Sequence, residues 1–500
     1  MHVVGFFLLV SSLSYVDGGK VLFLPHVIAK SHVRLFYSLA DQLAGRGHNV
    51  TMLRWPGTHQ VASIPIPRSV HIIDYANRNV EWSLTYVDDM VWRIPDSFYY
   101  QLRFMLAGLA RWPESIWGCY AMKDQPTLMD RLREARYDLI VLDPLGLPCN
   151  WAIANQIGAP YVTLIPLLSQ YYSDRAVHLP VPLSYVPSQQ TSYTDRMSFS
   201  ERLLNINSHI VHISAFWWLM ELAVHLLVWR DAYNRPLMHL TLEHPFIEYP
   251  RPISLTVVNA GTKDRIEPAS DSEVPDLIRD PTSNGTVIFT LTTLGTERMM
   301  PDAIKQPFST AISRLSDYRV IWRKMHISDQ VYFNHSEHVH VTDWFNQPQV
   351  LAHENTKLLI SHGGLNSIVE AVTHGIPMLF ITLGVDQHAS AGRAISRGMG
   401  VKTNKLNLKA DDIERDARRI LNDESNFQRT ARKYRDMVAD GKQLLSQPFI
   451  YWLEYGIRHG ERIRSLQPKG ENLIFWKYWH FDTFSTVIVA MALGSYLIAV

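Results

Sequence analysis

Short apolar runs alternate with helical patterns along most of the chain. In the first half, residues 20–24 and 138–142 are apolar runs that predict buried strands, and residues 33–45 repeat leucine at every fourth position, which predicts a helix. The second half has further strand candidates and one clear helical pattern, at 286–290, 319–322, 357–361, 378–381 and 411–421. This alternation predicts an α/β fold of doubly wound parallel sheets, with ligands at the carboxyl ends of the strands.

The chain is too long for one hydrophobic core. Its 500 residues predict two α/β domains of about 200–250 residues each. The stretch 250–281 is rich in Pro, Asp and Ser, which is typical of a linker between domains. The sequence therefore predicts a first domain over 20–265 and a second over 280–445, facing each other across a cleft, with residues 446–483 following.

The first 19 residues resemble a secretory signal peptide. Residues 3–10 form an apolar run that is too short to cross a bilayer and is followed by small and polar residues. The alternative is that this run forms a first buried strand. Asn49, Asn284 and Asn334 begin N-glycosylation triplets, which are frequent by chance and add little to this prediction.

Residues 484–500 carry no charge and predict a helix that anchors the chain in a membrane. Their length is at the lower limit for a spanning helix. Trp476, Tyr478 and Trp479 precede them, as aromatic residues do at a membrane interface. A buried core helix is the alternative. With a signal peptide at one end and an anchor at the other, we expect the body on the lumenal side of a membrane.

Composition excludes several function classes. Forty-eight basic and 47 acidic residues give a net charge of +1, so no overall field favours nucleic acid. The two cysteines, Cys119 and Cys149, are too few for a disulfide framework, a four-thiolate zinc site or an iron–sulfur cluster. The sequence also lacks Gly-x-Gly-x-x-Gly, a phosphate-loop motif, His-Glu-x-x-His and any Asp-x-Asp pair. We therefore expect no metal, and any bound diphosphate would be neutralised by backbone amides and side-chain donors.

Residues 344–387 hold the densest group of candidate binding residues. The predicted strand 357–361 runs into two glycines and then a helix, so backbone amides can approach a phosphate closely and the helix start adds partial positive charge. The residues expected to bind a diphosphate here are His362, Gly363, Gly364, Asn366 and Ser367.

Five further side chains in this segment suit the rest of a nucleotide sugar. Trp344 offers a flat face for a base, and Gln347 can reach the edge of that base. Glu370 can accept hydrogen bonds from two ribose hydroxyls, and Asp386 and Gln387 can bind sugar hydroxyls. Each residue alone is ordinary, but their order and spacing together indicate a nucleotide-sugar site.

This motif, W-x-x-Q … H-G-G-x-N-S-x-x-E-A-x-x-H-G-x-P … D-Q, resembles the signature of the UDP-glycosyltransferases, and most closely that of the animal membrane-bound UDP-glucuronosyltransferases. The resemblance covers nearly the whole chain and is weakest over 75–129 and 171–250, where the family forms its acceptor pocket. It implies the glycosyltransferase type B fold, with an N-terminal acceptor-binding and a C-terminal UDP-sugar-binding Rossmann-like domain. It also implies that residues 446–483 are a stem that returns to the first domain.

The resemblance implies a function as well as a fold. Members of the family transfer glucuronate or glucose from a UDP-sugar to a hydroxyl of a small lipophilic acceptor, with inversion and without a metal. Such enzymes are single-pass proteins of the endoplasmic reticulum membrane, and self-association stays open. Thr293, Gly295 and Thr296 stand where the family has a Ser-Leu-Gly-Ser loop at the donor site.

Two departures from the family pattern affect the donor site. The family often has Asp-Gln-Pro-Asp-Asn, whereas this chain has Asp386-Gln387 followed by His388, Ala389 and Ser390. One polar contact near the sugar or diphosphate is therefore expected to differ, which leaves the donor open between glucuronate and glucose. The serines of the Ser-Leu-Gly-Ser loop are threonines here and keep the hydroxyl.

Transfer to a neutral hydroxyl needs a base within hydrogen-bond reach of that hydroxyl. The family uses a histidine in the loop after the first strand and an aspartate that orients it. The sequence offers His26 and His32, and the Ser-His pair that ends at His32 matches the family spacing. Asp143 ends the strand 138–142 and is followed by proline, as in the family. We therefore predict His32 and Asp143 as the catalytic residues.

Two other functions are alternatives. A catalytically silent lumenal protein could keep the fold for binding, although a scaffold has no need of His32, Asp143, Glu370 and Asp386. A lipid- or sterol-directed glycosyltransferase is favoured by an unusually apolar stretch in the acceptor region, residues 215–218.

Overall fold

The computed structural model describes most of two parallel β-sheets and the helices around them. The described residues are 18–25, 30–54, 64–75, 122–144, 148–166, 182–189, 191–210, 236–259, 276–291, 302–324, 336–384, 386–441, 448–467 and 481–499.

The first sheet has seven parallel strands in the order β3-β2-β1-β4-β5-β6-β7. The strands are β1 (Lys20–Leu24), β2 (Asn49–Arg54), β3 (His71–Asp74), β4 (Leu139–Leu142), β5 (Tyr161–Ile165), β6 (His239–Thr241) and β7 (Val257–Asn259). The helices described in this half are α1 (Lys30–Gly45), α2 (Pro126–Glu134), α3 (Pro148–Ile157) and α4 (Phe199–Ile210). The strand order reverses between β1 and β4, and such a switch point is where doubly wound sheets bind ligands.

The second sheet has six parallel strands in the order β10-β9-β8-β11-β12-β13. The strands are β8 (Thr286–Thr290), β9 (Arg319–Arg323), β10 (Val339–Thr342), β11 (Thr356–Ser361), β12 (Met378–Phe380) and β13 (Gly400–Lys402). The helices are α5 (Asp302–Ser313), α6 (Gln347–Ala352), α7 (Leu365–His374), α8 (Gln387–Ser396), α9 (Ala410–Leu421) and α10 (Phe427–Asp440). The switch point of this sheet lies between β8 and β11.

Both faces of the first sheet are covered, which explains why its strands read as continuous apolar runs. In β1, Val21 and Phe23 point into one apolar cluster, and Leu22 and Leu24 point into a second cluster on the opposite face. The predicted strands in both halves end within one residue of the observed bounds. The prediction of two doubly wound parallel sheets is confirmed.

The predicted linker, residues 250–281, is partly wrong. Val257–Asn259 forms β7, the edge strand of the first sheet, and Asp276–Arg279 forms a short 3₁₀ helix. A three-residue edge strand is too short to leave a periodic hydrophobic pattern, and its pairing with β6 is set by the tertiary structure.

A buried ion pair joins the two halves behind the cleft. Arg393 on α8 donates from Nε to Glu248 Oε2 at 2.6 Å, and the two side chains are 0% and 7% exposed. Arg397 donates to the backbone oxygen of Glu248 at 2.9 Å, and the Tyr249 hydroxyl donates to Ser396 at 3.3 Å. The C-terminal end of α8 is thus fastened to the chain that follows β6.

After the second sheet, α11 (Phe449–His459) packs against the first sheet. Leu453 is fully buried in the same cluster as β1, and Glu454 accepts a hydrogen bond from Arg46 of α1 at 3.0 Å. Gln467 then donates to the backbone oxygens of Pro236 and Leu237 at 2.7 and 3.2 Å. The chain therefore returns to the first domain after completing the second.

The last described helix is α12 (Phe481–Ala499). Among the described residues, no helix reaches the length and apolarity of a membrane span. The prediction of an anchor at 484–500 stays a prediction. Residues 1–17 of the predicted signal peptide 1–19 lie outside the described residues.

Candidate active site

The two predicted catalytic residues leave the first sheet at its switch point. β1 and β4 are adjacent and parallel, with Leu24 opposite Leu142, so the chain leaves both strands at the same edge. Asp143 follows β4 directly, and its backbone N–H donates to the Leu24 oxygen at 3.0 Å. His32 lies in the first turn of α1, after the loop that follows β1. The topology therefore brings together two residues that are far apart in sequence.

His32 and Asp143 form a buried hydrogen-bonded pair. His32 Nδ1 lies 2.6 Å from Asp143 Oδ2, with the aspartate fully buried and the histidine 6% exposed. A carboxylate accepts the proton on Nδ1, which leaves the lone pair of the neutral ring on Nε2. This is the tautomer that a general base needs, with its orientation fixed by the aspartate. The roles themselves stay predictions.

The two glycines of the predicted diphosphate site allow a turn that other residues would obstruct. Gly363 has a φ of 88°, and a Cβ there would lie 3.2 Å from the backbone oxygen of Gln387. A Cβ on Gly364 would lie 2.5 Å from His362 Nε2. α7 follows at once, and the N–H groups of Leu365 and Asn366 in its first turn have no acceptor within the helix. The turn therefore presents backbone donors at the carboxyl end of β11, where the partial positive charge of the helix start adds to them.

His362 is neutral at this turn. The side chain is 4% exposed, and burial together with the nearby Arg323 lowers the pKa of His362 to about 4. A hydrogen bond with the backbone of Thr290 acts in the opposite direction and raises this pKa. A neutral imidazole acts on an anionic ligand through a hydrogen bond and not through a positive charge.

Gln347 and Glu370 contact each other. Gln347 Nε2 donates to Glu370 Oε2 at 2.7 Å and to Ser367 Oγ at 3.3 Å. The sequence predicts separate roles for these side chains, with the glutamine on the base and the glutamate on the ribose. The structure brings all three onto one surface of α6 and α7, where the amide holds the carboxylate in place.

Trp344 lies between the two halves of the molecule. Its side chain is 55% exposed, with the guanidinium of Arg34 at 4.3 Å and that of Arg323 at 4.9 Å from the ring centroid. Arg34 belongs to α1, two residues after His32, whereas Trp344 follows β10 in the second half. This contact brings the start of α1 against the predicted base platform.

Asp386 and Gln387 are both buried at the start of α8. Gln387 Oε1 accepts from the backbone N–H groups of Leu383 and Gly384 at 2.9 and 3.2 Å. Ser390 donates to Asp386 Oδ2 at 3.4 Å. The glutamine oxygen therefore shapes its own loop, and its amide nitrogen is the group suited to donate to a sugar hydroxyl.

The remaining predicted site residues are only partly described. Asn366 is half-buried in the first turn of α7, next to Ser367. Thr293, Gly295 and Thr296 lie outside the described residues. Within the described ranges, no group of three or more His, Cys, Asp or Glu side chains is arranged to hold a metal ion.

Arg34, Arg323 and Asn150 contact the predicted site but are not predicted from the sequence. Arg34 and Arg323 lie against Trp344, and Asn150 binds backbone oxygens beside Asp143. None of them belongs to a motif, because their contacts depend on how distant segments meet. The one signal in the sequence is position, since Arg34 and Asn150 lie two and seven residues from His32 and Asp143.

A comparison with known families decides which enzyme class this geometry serves. A family model described as UDP-glucoronosyl and UDP-glucosyl transferase matches residues 19–499. The chain belongs to this family. It is therefore a UDP-glycosyltransferase, as the resemblance implies, and its donor is a UDP-sugar.

Similar UDP-glycosyltransferases include mammalian enzymes of nearly the same length. The chain is 25% identical to mouse (Mus musculus) UDP-glucuronosyltransferase 1A9 over 493 residues, which cover 95% of this chain and 89% of the mouse protein. It is 24% identical to human (Homo sapiens) UDP-glucuronosyltransferase 2A3 over 515 residues, which cover 96% of this chain and 92% of the human protein.

Solved structures of glycosyltransferases share the fold. Phytolacca americana UGT2, complexed with UDP-2-fluoro-glucose and pterostilbene, superposes with a TM-score of 0.57 at 13% identity, covering 88% of this chain and 99% of UGT2. Glycosyltransferase VinC in complex with dTDP gives a TM-score of 0.55 at 18% identity, covering 89% and 100%. The predicted glycosyltransferase type B fold, with two parallel-sheet Rossmann-like domains, is confirmed for this UDP-glycosyltransferase.

Proposed function

We propose that this enzyme transfers glucuronate or glucose from a UDP-sugar to a hydroxyl of a small lipophilic acceptor, with inversion at the anomeric carbon. The observation that carries the proposal is the Arg34–Trp344 contact. Through it, the start of α1, which carries His32 and its partner Asp143, contacts the loop after β10, where the predicted donor segment begins.

The first half of the reaction takes place at His32. The acceptor oxygen attacks the anomeric carbon, while the proton of its hydroxyl passes to Nε2 of the imidazole. The imidazolium that forms is stabilised by Asp143, which lies 2.6 Å from Nδ1. Because the pair is buried, bulk water does not screen the carboxylate charge, and its attraction for the imidazolium is strong.

The second half takes place at the start of α7. The bond between the anomeric carbon and the diphosphate oxygen breaks, and the electron pair leaves with UDP. Backbone N–H groups of Gly364, Leu365 and Asn366 at the helix start are suited to stabilise the developing negative charge. A single displacement by the acceptor on the face opposite the leaving group inverts the configuration.

A His32→Ala variant tests the proposal. We expect the rate of transfer to fall by about three orders of magnitude or more, because the variant lacks the general base that Asp143 orients. UDP affinity, measured by isothermal titration, should stay within about twofold, because the nucleotide binds mainly to the other half. His48→Ala is a matched control, since His48 is also 6% exposed but lies at the far end of α1. An active His32→Ala enzyme would refute the assignment.

The donor sugar is assigned by turnover with a common phenol and each of UDP-glucuronate, UDP-glucose and UDP-xylose. The names of the mammalian relatives favour glucuronate. His388, Ala389 and Ser390, which stand where the family often has Pro-Asp-Asn, are the reason for testing all three donors. If none of the three donors gives measurable turnover and UDP still binds, a catalytically silent binding protein is favoured.

The acceptor class needs a panel of phenols, steroids and ceramide. A lipid-directed enzyme is the second candidate, because helix α4 exposes an apolar face. Phe199, Leu203 and Ile206 lie on that face and are 74%, 58% and 40% exposed. Residues 215–218, which suggest the same from the sequence, lie outside the described residues. Ceramide turnover above that of every phenol would replace the first proposal by the second.

The enzyme is proposed to be a single-pass protein of the endoplasmic reticulum membrane, with its body in the lumen. The proposal rests on the uncharged segment 484–500 and on α12, where Phe484, Ile488 and Met491 are 62%, 66% and 68% exposed. Alkaline carbonate extraction and protease protection of microsomes test it, and release of the protein by carbonate would contradict it.

A further inference from the structure

Asn150 lies at the point where the two catalytic segments leave the first sheet. It is on the first turn of α3 and is 5% exposed. Its Nδ2 donates to the backbone oxygens of Leu24 at 3.1 Å, Pro25 at 3.3 Å and Asp143 at 3.4 Å. Leu24 and Pro25 end β1 and begin the loop to His32, so one amide gathers the exits of both strands.

The chemistry of these contacts fixes the orientation of the amide. All three neighbours are carbonyl oxygens, which can only accept, so the side-chain atom facing them is the nitrogen. Its two N–H bonds are shared among three acceptors. The site is nearly closed to solvent, so water cannot readily replace the amide. Removing the amide would leave buried carbonyl oxygens without a donor, which lowers the free energy of unfolding.

We propose that Asn150 is a positioning residue for the transfer reaction: it holds the exit of β1 against the exit of β4 so that Asp143 meets His32 at hydrogen-bond distance. This inference rests on the proposed function, because it assigns Asn150 a role through the catalytic pair. Asn150 itself touches neither reacting group, since its bonds go to backbone oxygens.

The chain offers a matched control in Gln467, which follows α11. Gln467 is 6% exposed, and its Nε2 donates to the backbone oxygens of Pro236 and Leu237 at 2.7 and 3.2 Å. Like Asn150 it is a buried amide that donates to backbone oxygens of the first half, but its acceptors precede β6, at the opposite edge of the sheet from His32 and Asp143. Gln467→Ala therefore measures the cost of losing a buried amide without moving the catalytic pair.

The experiment compares Asn150→Ala and Gln467→Ala in the full-length enzyme. Both variants should lower the melting temperature. Only Asn150→Ala should lower kcat, by roughly 10–100-fold, because small displacements of catalytic groups cost about that much. The KM for the UDP-sugar should stay within about twofold, because the donor binds mainly to the second half. Equal kcat losses in both variants, or a loss confined to KM, would overturn the proposal.

A double variant separates positioning from general destabilisation. In an Asp143→Ala background the pair no longer exists, so adding Asn150→Ala should leave kcat unchanged within about twofold. A further tenfold loss would show that Asn150 acts by another route and would overturn the proposal. If Asn150→Ala does not fold, Asn150→Ser is measured in its place. The serine hydroxyl can donate to one of the three carbonyls, so kcat should lie between the wild-type value and the value expected for Asn150→Ala. A kcat equal to that of the wild type would overturn the proposal.

These outcomes are distinct from failure of the proposed function. If the wild-type enzyme transfers no sugar to any acceptor, the proposed function fails before Asn150 is tested. If the wild type is active and Asn150→Ala matches Gln467→Ala, the function stands and the positioning role fails.

Discussion

Asp143→Asn is the sharpest test of the catalytic pair. The substitution keeps the shape of a fully buried side chain and removes only its charge and one acceptor. At the 2.6 Å separation from His32 Nδ1 the amide can turn either way. With its oxygen toward the ring, the tautomer is kept but the imidazolium loses its counter-charge. With its nitrogen toward the ring, the proton moves to Nε2 and the base is lost.

The two orientations set the range of the effect. A charge-assisted hydrogen bond contributes roughly 1.5–3 kcal/mol, so its loss slows the chemical step by about 10–150-fold. The wrong tautomer costs about 10⁴-fold in the comparable aspartate–histidine pair of serine proteases. We therefore expect kcat for Asp143→Asn to fall by roughly 10–10⁴-fold.

The assay is release of UDP with a saturating phenolic acceptor, together with isothermal titration of UDP and thermal unfolding. UDP affinity should be unchanged, because Asp143 belongs to the first sheet and the predicted nucleotide site to the second. The melting temperature should not fall by more than a few degrees, because no buried volume is lost. A variant that keeps a third of wild-type kcat, or that loses kcat only in parallel with UDP affinity, would refute the role assigned to Asp143.

Three further predictions concern the donor turn, the Gln347–Glu370 contact and acid stability. Gly363→Ala should weaken UDP binding by about tenfold or more, measured by titration calorimetry. A positive φ costs about 1–2 kcal/mol for a residue with a Cβ, and the added methyl group would press on the backbone oxygen of Gln387. Glu370→Gln should raise KM for the UDP-sugar about tenfold with little change in kcat, because a charged acceptor 2.7 Å from Gln347 becomes neutral; an unchanged KM argues against ribose binding there. Burial, assisted by Arg251, lowers the pKa of His239 to about 3, so the unfolded chain binds the extra proton and stability falls as pH drops from about 6.5 toward 3. Thermal melts of His239→Asn should depend less steeply on pH in that window, and an equal slope would be inconsistent with this cause.

The sequence predicts the strands of both sheets well because each is an apolar run enclosed by helices. The family resemblance implies that Asp143 and His32 meet, and the structure brings them together because β1 and β4 are adjacent parallel strands whose carboxyl ends share one edge. The donor turn at Gly363 is predictable because a backbone with positive φ favours glycine, and glycines between a predicted strand and a predicted helix can be recognised in the sequence.

The contacts that the sequence does not predict are those between distant segments. Nothing in the spacing around Arg34 indicates that its guanidinium reaches Trp344 in the other half. Asn150 has no motif, because its acceptors are backbone oxygens that any residue could supply. The sequence predicts that Gln347 reaches the base, but the bond from Gln347 to Glu370 depends on how α6 packs against α7.

The helix that begins at Gln387 has a mechanical consequence. Its first residue belongs to the predicted sugar site, and Arg393 near its other end is bonded to Glu248 of the other half. Separating the two halves at this point would break the buried hydrogen bond between Arg393 and Glu248, so we expect product release to leave this contact in place. Burial raises the pKa of Glu248 and the Arg393 guanidinium opposes that rise, so the carboxylate depends on this contact to stay charged.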